Sequence, residues 1–270
     1  MSDLAAAPHE NRQMAQWFGA DAERYDRARP TYPDALVDRV VSMSPGKNFV
    51  DVGCGTGLSS RPFQAAGCTV LGVEPDARMA EVARRRGLDV EVAKFEDWDP
   101  AGRTFDAVTS GTAWHWVDPF AGAAKVAEML APHGLIALFD NGFELPEAVM
   151  TAQGEAYRHA MPEVKFEPPS KKDEDVEEYV EQIYAKQYVK AAEGILRTGA
   201  FSEPEELRFE WSRVCTRDEW LDQIPTQGGL NHLAEDARAR FLAYLGSAID
   251  EIGGSFTINY ATVGIAAVRR

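Results

Sequence analysis

The residues whose types and spacing best suit chemistry are Asp51, Gly53, Gly55, Gly57 and Glu74. Phe49-Val50-Asp51-Val52 is apolar enough for a buried strand and runs directly into Gly53-Cys54-Gly55-Thr56-Gly57. Alternate glycines permit positive φ and let a ligand approach the backbone, so the turn is a cradle for a small molecule. Asp51 adds a carboxylate beside that turn, which suits a cationic or hydroxyl-rich ligand. Thr69-Val70-Leu71-Gly72-Val73 predicts a second buried strand, ending on Glu74, whose carboxylate can grip two ribose hydroxyls.

A second concentration of chemistry is Ser110-Gly111-Thr112-Ala113-Trp114-His115-Trp116-Val117-Asp118-Pro119, which sets two indoles and an imidazole after a strand. His115 has an unperturbed pKa near neutrality and is the candidate catalytic base, while Trp114 and Trp116 can wall a reaction crevice. The aromatic, arginine-rich run from Trp17 to Pro33 predicts a segment that folds over something. His9, His115, His133, His159 and His232 are scattered, and no cluster has metal-ligand spacing, so no metal is expected. Cys54, Cys68 and Cys215 fit neither a disulfide framework nor a zinc site, and Cys54 is expected to pack rather than attack.

These motifs resemble the class I methyltransferases that use S-adenosylmethionine, closely over about residues 20 to 140. The Trp114-His115-Trp116-x-Asp118 run is similar to that of the type 11, trans-aconitate methyltransferase-like group. The resemblance implies that Asp51, Gly53, Gly55 and Gly57 hold the methionine end of the cofactor and Glu74 its ribose. Pro75, Met79, Phe95, Glu96 and Ser110 are the further cofactor positions it implies. Lys94 departs from the small polar or acidic residue common at its position. A Tyr-Asp-x-x-Arg-Pro-x-Tyr-Pro run in related proteins matches Tyr25 and Arg29, the latter a partner for the cofactor carboxylate. The family's substrate contacts near Thr226 carry over less directly, because Gly228 stands where serine is frequent. The rival fingerprint of a nicotinamide-dependent dehydrogenase is Gly-x-Gly-x-x-Gly, and a carboxylate at Asp51 would repel its diphosphate.

The elements that must position these residues alternate along the chain. Helices are expected over 58–66, 79–86 and 121–130, and strands over 89–93, 105–110 and 135–139. Residues 207–214 and 256–268 predict two more strands, with helices over 216–224 and 230–252 between them. The expected fold is a Rossmann-like, doubly wound α/β sheet of seven strands, the last antiparallel as the resemblance implies. N-terminal lid helices and a helical cap insertion after strand five complete it. One domain would then span 1–270: a lid at 10–45, a cofactor core at 46–141, the cap at 142–206 and a C-terminal part at 207–270. Cap helices are expected around 148–160 and 176–196, the acidic run 173–178 forming a solvated face.

The formal net charge of −15 and a pI near 4.8 argue against nucleic acid or an anionic membrane as partner. No stretch approaches the ~20 apolar residues of a membrane span, and the N-terminus has no signal-peptide pattern. The expectation is a cytoplasmic enzyme of a small-molecule methyl acceptor, most simply an oxygen. Sulfur, nitrogen or carbon acceptors, a non-methylating cofactor-binding protein and the dehydrogenase are the alternatives. Monomer and homodimer both remain open.

Overall fold

The computed structural model describes residues 17–161, 188–227, 230 and 233–270. Seven strands, β1 (Asn48–Val52), β2 (Thr69–Glu74), β3 (Asp89–Val92), β4 (Phe105–Gly111), β5 (Leu130–Glu144), β6 (Glu205–Thr216) and β7 (Ser255–Val268), form one sheet. Their order is β3-β2-β1-β4-β5-β7-β6. The first five lie parallel, and β7 is antiparallel to both β5 and β6. This is the doubly wound sheet with a reversed last strand that the sequence predicts. Its order reverses between β1 and β4, so a crevice opens beyond the carboxyl ends of those strands.

Alternation along the strands divides the core into two layers. Val50, Val108, Ile136 and Leu138 join one cluster, which is covered by helix Pro119–Met129 and by helical residues 188–197. Phe49, Ala107, Leu135 and Phe139 face the other way, against helices Asp34–Met43, Ser60–Ala65 and Ala77–Arg85. A third cluster is gathered where β5, β6 and β7 run on past the other strands. There helices Glu147–Ala160, Arg217–Gln223 and Glu235–Glu251 bury Trp220, Phe241 and Leu245 completely.

Several boundaries differ from the sequence reading, each for a local reason. The helix expected at 58–66 begins only at Ser60, because Gly57 takes φ +84° and the preceding residues are spent on turns. Pro119 starts the helix expected at 121–130, with Asp118 capping it by accepting from the Phe120 and Ala121 amides at 2.9 Å. β5 runs well past Phe139, since Asp140, Asn141 and Gly142 pair with Val263, Thr262 and Ala261 of β7. The expected insertion is divided: Glu147–Ala160 joins the third cluster, whereas Tyr188, Ala191 and Ile195 cover the sheet itself. The acidic run 173–178, like His9 and His232, lies outside the described residues.

Candidate functional site

A cavity of about 200 Å³ opens at the reversal of strand order, where the sheet's carboxyl ends meet the N-terminal segment. Gly53 and Gly55 form its floor with φ of +67° and +55°. The two glycines serve different ends. A Cβ on Gly53 would stand 2.5 Å from that of Ala113, so this position allows the β1 turn to pack against the loop after β4. A Cβ on Gly55 would meet only Met79 Cε, at 3.5 Å, and would otherwise occupy the cavity. Gly57 does not line the cavity; its positive φ closes the turn through its amide on Cys54 O at 2.8 Å.

Glu74 ends β2 at the cavity wall. The Gly55 amide donates to its Oε2 and the Asp76 amide to its Oε1, each at 2.9 Å. Burial nevertheless raises its pKa from 4.5 to about 7. Pro75, Met79 and Phe95 continue this side of the cavity. Tyr25, packed on the Met79 cluster, and Arg29 line it too, the Arg29 guanidinium carbon 5.3 Å from the Tyr25 ring centroid. Arg29 Nη2 donates to Thr226 O at 3.3 Å, while its Nε is buried with no partner among the described residues.

The segment carrying Tyr25 is fastened down by charge. Asp26 is buried, accepting from Arg61 Nη1 at 2.8 Å and Arg86 Nε at 2.9 Å. Arg27 makes a two-pronged pair with Asp222, at 2.7 and 2.9 Å, on the helix that ends at Gln223.

His115 and Trp116 line the cavity, their ring centroids 4.9 Å apart. Burial lowers the His115 pKa from 6.5 to about 4, so the imidazole is neutral near pH 7 rather than poised there as its type alone predicts. Its Nδ1 is buried without a partner among the described residues.

Six expected contact residues do not line the cavity: Gly57, described above, and five that the fold uses otherwise. Asp51 is fully buried behind the turn, where the Ser59, Ser60 and Thr109 hydroxyls donate to it at 2.6, 2.5 and 3.2 Å. Ser110 is spent on Val52 O at 2.9 Å. Glu96 accepts the Asp118 amide at 2.9 Å and lies 3.4 Å from Lys94 Nζ, joining two loops. Trp114 belongs to the core beside Phe95, because the single turn Trp114–Trp116 sends its first indole inward and its last outward. Thr226 is buried, its hydroxyl donating to Gln223 O at 2.6 Å.

The cavity also uses residues to which the sequence reading gave no role of their own: Tyr32 and Thr112 within the quoted runs, and Phe143, Gln223 and Tyr260 outside them. Thr112 holds φ +53° and shares a hydrogen bond of 2.8 Å with the Tyr32 hydroxyl. A non-glycine residue in the left-handed region is uncommon, though nothing in the sequence marks this one. Among the described residues no group of histidine, cysteine and acid side chains could hold a metal ion. No described helix is long and apolar enough to cross a membrane.

Comparison with known proteins agrees with this geometry. A methyltransferase domain family model matches residues 49–134. An uncharacterized methyltransferase of Mycobacterium tuberculosis is 33% identical over 133 residues, covering 48% of this chain and 54% of its own. A malonyl-[acyl-carrier protein] O-methyltransferase of Enterobacter lignolyticus is 32% identical over 139 residues, again 48% of this chain and 54% of its own. The chain thus spans about half the length of these curated relatives. Among solved structures, a putative type II methyltransferase from Anaeromyxobacter dehalogenans is alike in fold, with a TM-score of 0.59 at 20% identity over 88% of this chain and 97% of that one. Residues 49–134 thus match a methyltransferase domain, set in a sheet that has the class I, Rossmann-like methyltransferase fold.

Proposed function

We propose that this protein transfers a methyl group from S-adenosylmethionine to an oxygen of a small organic molecule. The observation that carries this reading is the Gly55–Glu74 hydrogen bond at an open, glycine-floored cavity. The residues present fit the cofactor. Glu74 has lone pairs left for ribose hydroxyls, and the unpartnered Arg29 Nε suits a carboxylate. Met79, Pro75 and Phe95 offer an apolar bed for adenine, and Tyr25 stands beside Arg29. When bound, S-adenosylmethionine supplies an electrophilic methyl on sulfonium, with a neutral thioether as leaving group.

The protein's own work is to align acceptor and methyl within roughly 3 to 3.5 Å and to exclude water. Trp116 and Phe18, whose ring centroids stand 6.4 Å apart, close part of that space. A neutral His115 with a pKa near 4 is a weak base, which favours an acceptor that is already ionised, such as a carboxylate. The likeness to a named O-methyltransferase supports oxygen as the acceptor atom. The Trp-His-Trp run supports the trans-aconitate methyltransferase-like group. A single domain acting on a small molecule in the cytoplasm accords with the charge of −15.

The test is calorimetric titration with S-adenosylmethionine, S-adenosylhomocysteine and NAD(H), followed by transfer of labelled methyl to a panel of small carboxylates and alcohols. Binding of both adenosyl compounds but not NAD(H), with label entering an ester, is the expected result. Binding of NAD(H) alone overturns the reading.

A further inference from the structure

We infer that Gln223 and Tyr260, both held from behind by Arg213, form a clamp that receives a carboxylate of the methyl acceptor. The inference rests on the methyltransferase reading, which assigns the glycine side of the cavity to the cofactor and this wall to the acceptor.

Gln223 is 0% exposed, lines the cavity and closes helix Arg217–Gln223. Arg213 Nη2 donates to its Oε1 at 2.6 Å. A guanidinium has only donors, so this bond fixes the amide with Nε2 as its other end. That Nε2 is buried with no partner among the described residues. Buried donors are nearly always satisfied, and one left open in a cavity wall is matched by an incoming oxygen.

Tyr260 supplies a second donor. It is 3% exposed, lines the same cavity, and its ring stacks on Trp211 at 4.2 Å with 11° between planes. Arg213 Nε donates to its hydroxyl oxygen at 3.4 Å, which leaves the phenolic hydrogen to point elsewhere. One cation therefore stands one hydrogen bond behind two donors. It polarises both and favours an anionic oxygen over a neutral one. Phe143, 5.9 Å from the Tyr260 ring, gives the rest of the acceptor an apolar wall.

In the reaction, the carboxylate oxygen forms the new C–O bond while the methyl–sulfur bond breaks, its electron pair staying on sulfur. No proton moves, in keeping with a neutral His115. Arg213 is a positioning residue in this scheme, since it acts only through Gln223 and Tyr260.

The probes are phenylacetate, phenylacetamide and 2-phenylethanol, which share a body and differ in head group. They are titrated into the full chain with and without S-adenosylhomocysteine. The wild-type protein is expected to bind phenylacetate roughly tenfold or more tighter than the other two. Gln223→Leu and Tyr260→Phe should each erode that preference. Arg213→Met should remove most of it and Arg213→Lys restore part, with S-adenosylhomocysteine affinity unchanged throughout. Tyr260→Phe deletes only a hydroxyl, so it serves even where Gln223→Leu disturbs folding. A wild-type protein without the preference, or binding none of the probes, overturns the clamp, as does a preference kept in both the Gln223 and Tyr260 variants. Failure to bind S-adenosylhomocysteine instead counts against the cofactor reading, and the titrations without it still decide the clamp.

Discussion

Glu74 holds Gly55 directly: the Gly55 amide donates to Glu74 Oε2 at 2.9 Å across the ends of β1 and β2. The acid that terminates one strand thereby sets the position of the glycine turn that follows the other. The turn and the acid are one unit, and the ribose group is expected where they meet.

The first prediction follows from protonation. Burial raises the pKa of the ligand-free Glu74 carboxyl to about 7, and ribose hydroxyls donate to its ionised form. Binding therefore lowers its pKa and expels a proton, so S-adenosylhomocysteine affinity rises from pH 6 toward 8 and then levels. Calorimetry at pH 6 in two buffers of different ionisation enthalpy reads that proton directly. Glu74→Gln should weaken binding by ~1–3 kcal/mol and flatten the profile. Affinity independent of pH in this window removes Glu74 from the ribose site. The same raised pKa has the opposite sense for stability. The folded state holds the proton longer than the unfolded chain, so Glu74's contribution falls as pH climbs from about 4.5 through about 7.

The two floor glycines should part company on substitution. Gly53→Ala meets Ala113 Cβ at 2.5 Å and should destabilise the fold, read as a lower urea midpoint. Gly55→Ala pays only the left-handed backbone cost of ~1–2 kcal/mol yet fills the floor, so it should fold and lose S-adenosylhomocysteine binding. Undiminished binding by Gly55→Ala would place the ligand elsewhere.

Arg29 can be tested with a pair of ligands. Arg29→Met should weaken S-adenosylhomocysteine by about 1.5–3 kcal/mol, since a charged hydrogen bond to its carboxylate is lost. Methylthioadenosine, which has no carboxylate, should bind the variant as it binds the wild type. Equal losses for both ligands would make Arg29 a structural residue of the N-terminal segment.

His115 should leave no trace in the rate profile between pH 6 and 8, because its pKa of about 4 lies below that range. With a carboxylate acceptor, His115→Gln should keep kcat within about tenfold of the wild type, against the 10²- to 10⁴-fold loss expected of a true general base. A loss of the larger size with an alcohol acceptor would restore it as base.

The sheet was legible because buried parallel strands are short apolar runs, and Val52 to Gly57 and Val73 to Glu74 mark their ends by residue type alone. What could not be read was which way a polar side chain turns at those ends. Asp51 is drawn inward by hydroxyls from Ser59, Ser60 and Thr109, the last 58 residues away. Trp114 and Trp116 are two residues apart in one tight turn, yet one joins the core and the other lines the cavity. Gln223 and Tyr260 carry no motif at all. Their meeting with Arg213 depends on β7 lying between β5 and β6, a pairing that no local pattern encodes.

That reversed strand also decides where the chain can be handled. β7 passes the cavity at Tyr260 and descends against the parallel strands, so Val268 pairs with Leu135 and the Arg269 amide reaches Gly134 O at 2.8 Å. Arg270 consequently emerges at the opposite end of the sheet from Gly55 and Thr112. A surface anchor placed at that end of the sheet stands the length of the strands away from the glycine floor, so immobilised protein can be titrated with both cofactor and acceptor.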